Sequence, residues 1–390
     1  MPINFQQIRS AIQKFGQEAP AQAKLREQNL EIALTQLNIY SQEIDRLQDR
    51  IQQTLAVNPD LRCGLPTHEP INTTRDPMDS QQPVVLLAAD GSQIIPNQHL
   101  AVQFGVINVG LMRLEPGNTP KERIESDLLY ANDIFTDQGF LIGEEVIALR
   151  RDHKERSHLL QAALQEEQTV LTLTDGPLEL YREGRESAEY KHLLEDYLNI
   201  LAEMAQEDII TAGYVDKPRS DLLIRLLELP LLAEDQLQDA GHIRKLTGIT
   251  DADLFARILQ PNQRSAIFQL HSRSTQHFSG LLAIHFFYIN IGRIEKPQIA
   301  RVEIPAWVLR QPSNIDLIHY HLIDQSQIMG IRAYPYILHR AHEIALVSYQ
   351  EREHLQNLLQ QTLLSQGLAA GDKSSKQYHK DLGGKTRYRR

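Results

Sequence analysis

The sequence predicts an α/β fold: a mixed sheet flanked by helices, with a helical N-terminal extension and a helical insertion. Residues 84–89 form a continuous apolar run and residues 169–174 a second segment with the character of a central buried strand. Helix-period and strand-like segments alternate through the chain. Residues 1–57 repeat apolar positions at steps of three and four, the mark of a one-sided helix.

In the first segment the stripe runs Leu30, Leu34, Leu37, Tyr40, Ile44, Leu47, Ile51 and Leu55, with Gln, Glu, Arg and Asp between. Pro20 is expected to divide a short first helix from a longer second one. With only about four heptads and a seam diluted by Gln and Ser, packing on the body or modest dimerisation is favoured over a dedicated coiled coil. Residues 58–82 carry four prolines, with Pro83 directly after, and read as a linker or irregular loop. The run at 84–89 ends in Asp90-Gly91-Ser92, and 100–113 continues as strand. A helix over 144–167 leads into the strand at 169–174, which also ends in Asp-Gly, at Asp175-Gly176-Pro177. Residues 187–212 read as helix and 220–259 as mostly helix. Strand-like segments follow at 265–270, 281–291 and 298–308, then a short helix at 315–323 and a long one at 336–366. Residues 371–390 hold seven Lys or Arg against two Asp, a basic disordered tail. The expected division is thus an extension at 1–60, a linker at 61–82, a catalytic domain at 83–367 and a tail at 368–390.

Composition limits the function. The chain has 390 residues, 42% hydrophobic and 23% charged, which suits a packed globular protein. Cys63 is the one cysteine, so no disulfide closes within the chain, as expected of a reducing, cytoplasmic setting. No signal-like apolar segment opens the sequence, and the most apolar stretch, 281–291, is broken by His285 and Asn290 and is too short to span a bilayer. No membrane association is expected. The net charge of −10 runs against a general basic footprint for nucleic acid. No P-loop is present, which excludes a self-contained ATPase, and no groove-reading motif is present, which argues against sequence-specific recognition.

The chemistry lies at two strand ends. Ligands bind α/β sheets where side chains leave the core. Asp90 and Asp175 each terminate an apolar strand, and a carboxylate there is costly unless paired, which a divalent cation does well. One Asp-Gly alone is a turn; two at two such strands suggest a site.

The segments Ala89-Asp90-Gly91-Ser92, Thr174-Asp175-Gly176-Pro177-Leu178, Gly213-Tyr214-Val215-Asp216-Lys217-Pro218 and Tyr334-Pro335 followed by His342 resemble, in type and order, the NurA nuclease family. The resemblance covers about residues 80–350. It implies a ribonuclease-H-like fold and a manganese-dependent deoxyribonuclease, with magnesium as the other candidate ion. Such an enzyme degrades DNA ends as an exonuclease, with single-strand endonuclease action a further option. It would work in double-strand break repair beside a HerA-type hexameric ATP-driven translocase, as a homodimer.

Residue by residue, the resemblance implies Asp90 and Asp175 as metal-binding acids and a helical glutamate between them. Glu155 is the choice, with Glu144 and Glu145 as rivals at a helix start. Tyr334 and His342, eight residues apart, match the family's C-terminal pair, and His339 competes for the second place. Asp90, Glu155, Asp175 and His342 would then hold the ion or ions, which acidify a water and stabilise charge on the phosphoryl oxygens. Tyr334 would orient the phosphate or stack on a base. Lys217 and Arg219 are the candidate phosphate contacts, with Lys191, Arg185 and the tail cations Lys385, Arg387, Arg389 and Arg390 behind them. The rival readings are a non-catalytic ribonuclease-H-like scaffold and a metal-dependent phosphodiesterase acting on small nucleotides.

Overall fold

A computed structural model describes residues 3–79, 82–136, 138–180 and 188–368. The elements run α1 (Phe5–Gln42), α2 (Ile44–Val57), β1 (Cys63–Pro66), β2 (Thr74–Arg75), β3 (Val84–Ile94), β4 (Gly105–Leu114), β5 (Lys121–Leu129), α3 (Glu144–Ala163), β6 (Thr169–Asp175), α4 (Ala188–Gln206) and β7 (Ile210–Val215). They continue with α5 (Leu222–Glu228), α6 (Asp251–Ile258), β8 (Arg264–Ser265), β9 (Phe268–His271), β10 (Ile284–Asn290), β11 (Ile299–Pro305), α7 (Pro312–Ile328), α8 (Tyr336–Ala345) and α9 (Tyr349–Ser365). The chain forms two compact units. One comprises Met1–Ser80, Gly176–Glu179 and Ala212–Tyr334, the other Gln81–Asp175, Leu180–Thr211 and Pro335–Arg390.

In the first unit β1, β9, β10, β11 and the Gly213–Val215 end of β7 pair antiparallel in that order. Phe268, Phe286 and Tyr288 fill its core, with Phe286 packed against both neighbours. The stretch read as a linker contains β1 and β2, paired to β9 and β8. Leu30, Leu37, Tyr40, Leu47 and Ile51 of the N-terminal stripe are buried. They lie where α1 meets α5 and α6 and where α2 meets the short turns that follow α5. Asn29 Nδ2 donates to Thr247 O at 2.9 Å, and Arg50 Nε to Leu229 O at 3.1 Å, fastening the two helices. The expected division at Pro20 does not occur: α1 runs through it and ends at Gln42. Residues 16–18 and Pro20 are exposed, so water can reach the carbonyl that proline leaves without a donor.

In the second unit the order is β5-β4-β3-β6, antiparallel across β5, β4 and β3 and parallel from β3 to β6. This is the ribonuclease-H-like mixed sheet. Residues 84–89 are all buried because α3 and α8 both pack on β3. β5 is a strand the sequence reading did not expect. Its residues 121–124 are exposed, and it carries Lys121, Glu122, Arg123, Glu125 and Asp127, the charged pattern of an edge strand.

Three helix bounds also move. The expected helix over 187–212 stops at Gln206, and 210–215 becomes β7. The short helix at 315–323 is α7, spanning Pro312–Ile328. The long C-terminal helix is two, because Ser348 caps α9 by accepting from Glu351 N at 3.2 Å. Leu355 and Leu359 of α9, with Val347 just ahead of it, then cover the cluster of Ile94, Leu100, Phe104 and Val106. The basic tail lies outside the described residues except for Leu368. Among the described residues no helix is long and apolar enough to cross a membrane.

Candidate active site

The register of β3 and β6 builds the site. Ala89 pairs with Thr174 in parallel, so Asp90 and Asp175 are the next residues on neighbouring strands. Strands in a sheet lie about 4.8 Å apart, which sets the two acids side by side. The two Asp-Gly strand ends of the sequence thus meet at one point of the sheet. Asp175 is exposed there.

Side chains alternate along β3, and the two faces carry different parts. Asp90 and Ser92 turn towards α8. Asp90 Oδ2 accepts from His342 Nδ1 at 2.6 Å, and its Oδ1 accepts from Gly91 N at 2.8 Å. The carbonyl of Ala345 at the end of α8 accepts from Ser92 Oγ and from Asn108 Nδ2. Gly110 lets that helix approach: a Cβ there would lie 2.8 Å from both Ala341 O and Ala345 N. A small residue on β4 and two polar anchors therefore fix the helix that carries His342.

Gly91 and Gln93 turn towards α3. A Cβ at Gly91 would come within 2.7 Å of Glu155 Oε1 and 2.5 Å of Arg151 Cγ. The missing side chain opens a window through which Glu155 reaches β3. Arg151 donates to Gln93 Oε1 and to Asp152 Oδ1, each at 2.8 Å, and its Nε stands 3.2 Å from Glu155 Oε1. Burial and the neighbouring charge of Asp152 push the Glu155 carboxyl well above the usual carboxylate range; Arg151 opposes this and Asp90 adds to it. Burial works against the Arg151 cation, but Asp152, Glu155 and Asp90 together hold its pKa above the ordinary value.

Glu144 and Glu145 remain exposed in the first turn of α3. The helical acid brought to β3 is Glu155, only 7% exposed. His339 instead faces Glu343, its Nε2 3.4 Å from Oε1. Tyr334 belongs to the other unit, where its ring stands edge-on to Tyr214 at 5.5 Å. There Gly213 leaves room for the Gly176–Leu178 segment: a Cβ would meet Gly176 O at 2.7 Å. Glu303 Oε2 accepts from Leu178 N at 2.8 Å in the same place. Lys217 and Arg219 are exposed in that unit. Lys217 adopts φ +44, uncommon for a side-chain-bearing residue, and its Nζ is 3.5 Å from Asp216 Oδ2. Lys191 is exposed on α4, and Arg185 lies outside the described residues.

Three side chains at this end of the sheet escaped the sequence reading: Arg151, Asp152 and Arg156. The first two share Glu155's helix face at steps of four and three, a spacing visible in the sequence once Glu155 is chosen. Arg156 is buried, donates to Thr174 Oγ1 and leaves its other terminal nitrogen without a hydrogen bond.

Among the described residues no three His, Cys, Asp or Glu side chains are gathered tightly enough to hold an ion as they stand. The donor chemistry nonetheless fits a hard divalent cation. The groups are carboxylates and an imidazole, and buried Glu155 Oε1 has no hydrogen bond. Such an oxygen is costly to leave unmatched, and a cation relieves it.

The family model described as the NurA domain matches residues 84–347. No curated protein matches the sequence. Among solved structures, the NurA nuclease from Sulfolobus solfataricus is similar with a TM-score of 0.50 at 14% identity, over 84% of this chain and 95% of that one. That likeness is one of fold. The catalytic domain of human endonuclease V gives a TM-score of 0.33 at 15% identity, over 81% of this chain and 98% of that one. Endonuclease V of Ciona intestinalis, in complex with an inosine-containing DNA, gives 0.34 at 10% identity, over 81% and 98%.

Proposed function

The chain belongs to the NurA family, and we propose that it is a metal-dependent nuclease that hydrolyses phosphodiester bonds at DNA ends. The observation that carries this is the meeting of Asp90 and Asp175 at adjacent strand ends, with buried Glu155 reaching the same strand past Gly91. Asp90, Glu155, Asp175 and His342 would hold the ion, manganese in the first instance and magnesium as the alternative. When bound, a divalent ion supplies a water acidic enough to attack phosphorus and offsets the charge that develops on the phosphoryl oxygens.

The chain's own groups supply the rest. Asp90 accepting the Nδ1 proton of His342 would fix the tautomer whose Nε2 lone pair points away from Asp90. That nitrogen would take an ion, or accept a proton from the attacking water and pass it on to the leaving oxygen. Tyr334 would contact the phosphate or a base, and Lys217 and Arg219 the backbone of the DNA, contacts that do not depend on base sequence. The acidic net charge suits help from a partner in engaging DNA. A HerA-type translocase, a homodimeric state and a place in double-strand break repair are part of the same proposal.

The test is digestion of end-labelled linear DNA, single- and double-stranded, in manganese, magnesium or chelator, by wild type and Asp175→Ala. Shortening that requires metal and is lost in the variant supports the reading. Absence of cleavage in every condition, with a HerA-type translocase added as well, overturns it. Undiminished hydrolysis of a small chromogenic phosphodiester in the presence of excess DNA would move the substrate to small nucleotides.

A further inference from the structure

We propose that Arg151 is the built-in counter-cation of the acidic cluster, occupying it until a divalent ion displaces the guanidinium. The proposal rests on the metal-binding reading of Asp90 and Glu155. One guanidinium serves Asp152 by a 2.8 Å hydrogen bond, Glu155 by a 3.2 Å ion pair, and Asp90 through its field. The fit to Glu155 is poor. Arg151 Nε and Glu155 Oε1 are buried and close, yet neither makes a hydrogen bond. Guanidinium donors are directional and set in a rigid plane, whereas a metal ion accepts carboxylate oxygens from a wide range of approaches. The terminal nitrogens are already committed to Gln93 and Asp152, so the plane cannot turn to face Glu155.

The site is also built for departure. The Arg151 stem crosses Gly91, where its Cγ and Cδ would lie 2.5 and 2.8 Å from any Cβ. The side chain keeps 24% exposure, so its head can swing to solvent while the stem stays on the strand. Like charges a few ångströms apart repel strongly where water is scarce, so the ion and the guanidinium compete for one place. Arg151 is thus a positioning residue. It holds Asp152 and Glu155 in place in the metal-free protein and raises the ion concentration needed to fill the site.

The test is Mn2+ binding to the chelator-treated full chain, read by the electron paramagnetic resonance signal of free Mn2+. Four variants are compared with wild type. Arg151→Gln is expected to bind Mn2+ roughly tenfold more tightly, because a competing buried charge is removed. Arg151→Lys, which keeps the charge, is expected within about threefold of wild type. Gln93→Leu keeps every charge and removes one guanidinium hydrogen bond; it shifts affinity in the same direction as Arg151→Gln by about threefold. Asp90→Asn weakens binding. Unchanged or weaker Mn2+ affinity in both Arg151→Gln and Gln93→Leu, with wild-type binding lost in Asp90→Asn, overturns the displacement model alone. Wild type that binds no Mn2+, or Asp90→Asn that binds as well as wild type, overturns the metal site and the displacement together.

Discussion

Asp90 and His342 stand 252 residues apart in the chain and 2.6 Å apart in space. Each is held by its own device. Asp90 ends the buried part of β3 and is fixed by Gly91 N at 2.8 Å. His342 lies in the last turn of α8, whose closing carbonyl is bonded by Asn108 at 2.7 Å. A carboxylate accepting from Nδ1 presets the opposite nitrogen as a lone pair, so this one contact would set up either role proposed for it, ion ligand or proton acceptor.

Asp90→Asn tests that contact. The amide can keep the Gly91 hydrogen bond but can also donate to Nδ1, which favours the wrong tautomer. Metal-dependent cleavage should fall on the order of a hundredfold or more. Thermal stability should change little, since the group sits at a strand end. Cleavage within threefold of wild type in a folded variant would remove Asp90 from the site.

Gly110→Val tests how α8 is placed. Its Cβ must push aside backbone atoms 2.8 Å away, which no rotamer relieves. Overpacking of this kind costs about 1–3 kcal/mol, and here it also shifts His342. The expected result is lost cleavage with a lowered denaturant midpoint. Gly117→Ala is the comparison: it has φ +79 and open space around it, so it should strain the backbone by about 1 kcal/mol without touching cleavage. Equal cleavage losses in the two would show that general destabilisation, not helix placement, is responsible.

These relationships were only partly legible in the sequence. The strands at 84–89 and 169–174 announce themselves because they are buried under helices, leaving segments of apolar and β-branched residues without charges. Their Asp-Gly ends marked the site for the same reason: a charge directly after such a run is conspicuous. β5 was invisible because it is an exposed edge, and its charges follow no apolar alternation. β7 merges with the preceding helix in the sequence because it is only six residues long, too short to show a period of its own. Nothing in the sequence sets Arg151 and Asp152 apart from ordinary solvated helix charge. Only the window at Gly91 turns them towards the strand, and that is a property of two elements together. The break before α9 was available in Ser348 and Glu351, a capping box the apolar periodicity overrode.

The first unit supplies a pH prediction. Asp251 is fully buried, and its Oδ1 accepts from Leu223 N and Ile224 N at 3.0 and 2.9 Å while Tyr288 donates to Oδ2 at 2.5 Å. Burial outweighs these bonds and raises its pKa to about 6. An acid with a raised folded-state pKa contributes stability that is complete below about pH 4 and lost as pH rises through 6. The change amounts to about 3 kcal/mol over that window. Urea midpoints for wild type should therefore fall between pH 4 and 7 more than those of Asp251→Asn, which cannot ionise. Parallel profiles for the two proteins would mean that Asp251 stays ionised throughout.

Cys63 gives a probe of the same unit. It is fully buried on β1, and burial pushes its thiol up to about 12. The thiolate is the reactive form, so at pH 8 the folded protein offers almost none of it, and the sulfur is out of contact with solvent as well. Labelling by a disulfide reagent must wait for β1 to leave β9, where Cys63 pairs with His271. The modification rate should be slower than in 6 M urea by on the order of a thousandfold or more, in proportion to the rarity of the open state. It should also rise with urea well below the midpoint if β1 opens locally, and only near the midpoint if β1 opens with the whole unit. Rapid labelling without denaturant would contradict the paired, buried position of β1.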